Sequence, residues 1–90
     1  MRRPKFTDED MYIGAKMLCI GGFYSFATVG VVYEVLGDAD WTYSISDDSG
    51  TQSWTIGELN AADAMIWLFP VDQLTDQDRF IFELSGRLPE

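Results

Sequence analysis

The chain lacks histidine, has a single cysteine, and carries neither lysine nor arginine between Met17 and Asp78. Each absence narrows what the protein can do. Without histidine, the commonest general base and metal ligand is missing. Cys19 cannot close an internal disulfide, and it sits within the apolar run Met17-Leu18-Cys19-Ile20 rather than at a helix start or beside a base. A lone, unactivated cysteine implies a reducing compartment and no thiolate chemistry. No apolar run approaches the ~18 residues of a membrane helix. The basic start, Arg2, Arg3 and Lys5, leads into Thr7-Asp8-Glu9-Asp10 rather than the apolar stretch of a signal peptide. These absences predict a cytoplasmic protein that is not an enzyme and takes no cofactor or metal.

What is present is acid and aromatic. The net charge is −9 over 90 residues, and 47% of the residues are hydrophobic, with three Trp, four Tyr and six Phe. That apolar content suits one folded domain and argues against a disordered acidic tail. The ten carboxylates between Met17 and Asp78 are Glu34, Asp38, Asp40, Asp47, Asp48, Glu58, Asp63, Asp72, Asp76 and Asp78. With no cation in that span to neutralise them, they stay solvated or meet a partner's positive charge, and direct binding to nucleic acid phosphates is disfavoured.

Periodicity predicts a mostly β fold. Met17 to Ile20 and Val31 to Leu36 read as strands separated by a loop from Gly21 to Gly30. Trp41, Tyr43 and Ile45 alternate with Thr42, Ser44 and Ser46, which puts one face of a third strand into a core. Asp47-Asp48-Ser49-Gly50 is a hairpin turn signal, and Thr51 to Ile56 continues the alternation with Trp54 and Ile56 inward. The three tryptophans, Trp41, Trp54 and Trp67, are expected in the core. Residues 57–64 predict one helical turn, Met65 to Phe69 a fifth strand, and Pro70 the end of pairing. Thr7 with Asp10 predicts a capped turn. Thr75 predicts a short C-terminal helix carrying Phe80, Ile81 and Leu84, with a sixth strand over Arg79 to Leu84 as the alternative. The order corresponds to a small five-stranded SH3-like barrel over residues 15–70, a single domain with an N-terminal extension (1–14) and a C-terminal element (71–90).

Met17-Leu18-Cys19-Ile20, Thr28-Val29-Gly30-Val31-Val32-Tyr33-Glu34-Val35-Leu36 and Tyr43-Ser44-Ile45-Ser46-Asp47-Asp48-Ser49-Gly50 together resemble small SH3-like proteins encoded by tailed bacteriophages. Their strands read "CI" and "T-x-G-K-x-Y-E-V", and their turn "I-x-D-D-S-G". Val31 departs from this pattern, replacing its lysine and making the face more acidic. The "ALYDY"-type loop of peptide-binding SH3 domains is absent, so polyproline recognition is not carried over. The resemblance implies a short phage protein that binds a host protein, with a host nucleic-acid-handling or defence enzyme as the expected target.

The candidate partner-binding residues are Asp38, Asp40, Asp47 and Asp48 as an acidic rim, with Phe23, Tyr24 and Phe26 of the long loop as anchors. An alternative is an assembly module that binds through apolar surface, with a homodimer through Phe80, Ile81 and Leu84. A third reading gives paired carboxylates a divalent ion and hydrolytic chemistry. The stretch from Asp38 to Asp48 lacks the central glycine and terminal glutamate of an EF-hand.

Overall fold

The computed structural model describes residues 4–79. Five strands, β1 (Lys16–Gly22), β2 (Val32–Ala39), β3 (Thr42–Asp47), β4 (Gly50–Thr55) and β5 (Ile66–Pro70), form one antiparallel sheet in the order β4-β3-β2-β1-β5, curled into a half-barrel. The first four make a meander. A short helix, α1 (Ile56–Asn60), then carries the chain back so that β5 pairs with the other side of β1.

Two kinds of strand follow from two kinds of sequence. β1 and β5 are apolar at consecutive positions because both of their faces are covered. Met17 and Cys19 join Ile66 and Leu68 in the main core, while Leu18 and Ile20 meet Phe69 in a second cluster on the opposite face, flanked by Trp67, Val71 and Leu74. β3 and β4 alternate instead, burying Ile45 and Trp54 on one face and leaving the other polar.

The N-terminal segment belongs to this core. Phe6, Met11 and Ala15 are buried within the main cluster. Phe6 donates its N–H to Asn60 Oδ1 at 2.7 Å and accepts from Asn60 Nδ2 at 2.9 Å, so one side-chain amide clasps the segment to the end of α1. The expected turn at Asp8–Asp10 forms, with Asp10 accepting from the Thr7 N–H at 2.9 Å. α1 opens on a capping box, Thr55 Oγ1 accepting from the Glu58 N–H at 3.1 Å and Glu58 from the Thr55 N–H at 2.9 Å. Thr75 likewise caps a helical turn over residues 76–79 through Asp78, at 3.0 and 3.2 Å. Phe80, Ile81 and Leu84, and the choice between helix and strand there, lie outside the described residues.

Three expectations are corrected. β1 runs on through Gly21 and Gly22, which the glycine-marked loop was expected to claim; Gly22 has φ +98°, and a Cβ there would lie 2.4 Å from the Met65 carbonyl oxygen. Pro70 pairs opposite Met17 as the last residue of an outer strand, where its missing N–H costs no ladder bond. Trp41 is neither in a strand nor in the core. β2 extends to Ala39 across a bulge after Val35, and Asp40-Trp41 form a two-residue turn closed by the pair Ala39 and Thr42. The alternation holds at Tyr43 and Ile45, and only its first member, Trp41, falls in the turn preceding Thr42.

Candidate interaction surface

The two ends of β3 carry the chemistry. At one end, the β3–β4 hairpin tip meets the β1–β2 loop. The loop is pinned at both ends: Phe23 and Tyr24 donate their N–H groups to the Met65 carbonyl at 2.8 and 2.9 Å, and Gly30 donates to the Cys19 carbonyl at 2.9 Å. Its middle is held by the paired aspartates. Asp48 accepts from the Tyr33 hydroxyl at 2.8 Å and the Thr28 hydroxyl at 2.7 Å, and donates its own N–H to the Phe26 carbonyl at 2.7 Å. The same Tyr33 oxygen accepts from the Thr28 N–H at 2.8 Å. Asp47 accepts from the Tyr24 hydroxyl at 2.8 Å, while its second oxygen closes the turn by accepting from the Ser49 N–H and hydroxyl at 2.8 and 2.7 Å. A turn needs only one aspartate; the second clasps the loop.

Burial pushes the Asp47 carboxyl up, but bonds from Ser49 and Tyr24 outweigh it and bring the group below its ordinary value. Tyr24 is raised by burial and then by Asp47. Tyr33 is raised by burial, with the Thr28 N–H opposing and Asp48 adding to the shift. Tyr24 stands edge-on to Trp54, with centroids 5.1 Å apart, and to Phe26 at 5.7 Å. It is thus part of the fold, whereas Phe23, 68% exposed, and Phe26, 49% exposed, show their rings to solvent.

The pattern extends to every tyrosine in the chain. Tyr43 donates to Asp8 at 2.7 Å, and Tyr12 donates to Asp72. In both, the bond to the carboxylate is the leading cause of a raised phenol pKa. Four tyrosine hydroxyls thus satisfy four different aspartates. The sequence signal was there, four Tyr among many Asp with almost no cations, but nothing in it assigned the pairs. Lys16 with Glu34 is the ion pair found among the described residues.

At the other end of β3, roughly 20 Å away at 3.3 Å per residue, lies the turn Asp40-Trp41. Trp41 is 91% exposed, and both turn residues have left-handed backbones, φ +48° for Asp40 and +73° for Trp41. Aspartate tolerates that conformation; for a bulky residue it costs on the order of 1–2 kcal/mol. Asp38, Asp40, Trp41 and Tyr43 line a shallow depression of about 240 Å³. The seven residues singled out from sequence therefore divide into two groups. Asp47, Asp48, Phe23, Tyr24 and Phe26 come together around the loop, and Asp38 and Asp40 flank Trp41. The sequence reading missed Trp41 itself because no local signal marks a tryptophan in a left-handed turn.

Cys19 is buried, with burial raising its thiol pKa, and its Sγ faces the Gly21 carbonyl at 3.7 Å. Among the described residues, no three side chains of the metal-binding types gather into a site, and no helix is long and apolar enough to cross a membrane. No family model, curated protein or solved structure matches the chain.

Proposed function

We propose that the protein is an acidic binding module that seats against a basic surface of a partner protein, with Trp41 as its anchor and Asp38 and Asp40 as the rim. The carrying observation is the cost of Trp41 to its own chain: a large apolar ring left 91% in water, on a backbone strained by its side chain. Glycine at that place would relieve both penalties. Exposed tryptophans ringed by charge are frequent anchors of protein interfaces, and the surplus of carboxylates supplies long-range attraction toward a cationic groove. The five-stranded antiparallel half-barrel and the sequence resemblance to small phage proteins support extending this reading to a phage product that occupies the basic surface of a host nucleic-acid-handling or defence enzyme.

The test uses the wild-type chain, Trp41→Gly and the pair Asp38→Asn with Asp40→Asn as baits in host lysate at low and high salt. The expected result is a protein held by wild type at low salt, released at high salt, and lost from both variants. Retention of the same protein by Trp41→Gly would sink the anchor assignment.

A second reading rests on a different observation. Phe23, Phe26, Val29 and Met65 are all at least 46% exposed, and Phe23 is tied to Met65 through the backbone. An assembly module using this apolar surface would bind independently of salt and lose its partner on Phe23→Asp, while Trp41→Gly would leave binding intact.

A further inference from the structure

Among the described residues, β4 is an edge strand without the usual protection. From Gly50 to Thr55 it has no proline, no charged residue and no bulge, its register to β3 is unbroken, and residues 50–53 are exposed. The direction of its backbone groups follows from the hairpin. Asp47 and Gly50 close a two-residue turn as a hydrogen-bonded pair, and such pairs alternate along an antiparallel ladder. Gln52 and Trp54 therefore face β3, while Thr51 and Ser53 turn both N–H and C=O outward. Thr55, next in the outward series, confirms the phase by donating its N–H to Glu58. Among the described residues nothing bonds to the outward groups of Thr51 and Ser53.

We propose that the β4 edge accepts an extended, basic segment of a partner protein as a sixth strand, with backbone bonds to Thr51 and Ser53. Charge selects this occupant. A second copy would set two edges of −9 molecules side by side, whereas a strand bearing lysine or arginine is opposite in charge to this molecule. Beyond the Thr55 end of the edge lies a cavity of about 150 Å³ lined by Trp54, Glu58, Ala61, Asp63, Ala64 and Met65. Its apolar floor suits the stem of a long basic side chain, and its two carboxylates suit the head. The cavity shares no lining residue with the depression at Trp41, and the proposal does not depend on that ring.

Two synthetic octapeptides of alternating valine and threonine, one with two lysines and one with two glutamates in their place, test the proposal by NMR titration of the full chain. The lysine peptide is expected to bind at least tenfold more tightly than the glutamate peptide. When bound, it should slow amide exchange at Thr51 and Ser53 at least tenfold, with Gln52 and Trp54 changing little. Ser53→Pro deletes an outward N–H that the fold does not use, and should weaken binding at least tenfold where Ser53→Ala does not. If the proline variant fails to fold, amide exchange in the wild-type chain decides alone. Equal affinity for both peptides, unchanged exchange at Thr51 and Ser53, or protection of those amides by self-association without peptide would overturn the proposal.

Discussion

Asp47 and Asp48 are neighbours with different duties: Asp47 closes the turn and bonds Tyr24, while Asp48 holds the loop through Tyr33 and Thr28. Asp48→Ala strands the Tyr33 and Thr28 hydroxyls and frees the loop, so it should cost about 1–3 kcal/mol in urea unfolding. Asp40→Asn, in an exposed turn, should stay within about 0.5 kcal/mol. Trp41→Gly should raise stability by roughly 0.5–1 kcal/mol by removing left-handed strain, even as it abolishes the proposed binding. The shifted groups set two pH limits. Asp47 is depressed on folding, so its contribution is complete above its unfolded pKa near 3.8 and drains away as pH falls through the lower folded value. Tyr24 and Tyr33 are raised, so theirs is complete below about 10 and is lost as pH climbs through the higher folded values. Melting temperature against pH should therefore fall at both ends, with Asp47→Asn flattening the acid limb and Tyr24→Phe the alkaline one. The turn at Gly50, φ +132°, was legible because glycine and aspartate advertise it. The tyrosine partners were not, since the paired residues are 15 to 60 positions apart and only the fold brings them together.

Among elements, legibility followed how many faces a strand buries. β3 and β4 were readable because a half-buried strand must alternate, and β1 and β5 because strands buried on both faces must be apolar throughout. β2 was read short at its C-terminal end. Its bulge and its tail Gly37-Asp38-Ala39 carry loop-like residues, and strand pairing to β3 overrode that local preference. The same limit hid the place of the N-terminal segment, where nothing near Phe6 announces that Asn60 will hold it. The β1–β5 contact gives a sharp test. Gly22→Ala adds a Cβ 2.4 Å from the Met65 carbonyl on a φ of +98°. Thermal unfolding should show a loss of about 2 kcal/mol or more, or no folded protein, because backbone on both sides must move.

For the whole molecule the governing quantity is charge. Net charge was legible from composition alone, and it is what motivates the proposal of a cationic partner. Association with a basic protein should slow steeply as salt shortens the Debye length toward ~8 Å at physiological ionic strength, a change visible in on-rate rather than off-rate. The internal bonding makes this field durable. A lysine beside each tyrosine-bonded carboxylate would have steadied the fold by cancelling the charge it held. Tyrosine hydroxyls immobilise Asp8, Asp47, Asp48 and Asp72 and cancel nothing. Tyrosine to phenylalanine then alters shape and leaves the field, whereas aspartate to asparagine alters the field and keeps an acceptor in place. Geometry and electrostatic reach are thereby separable by substitution, and one can be retuned without dismantling the other.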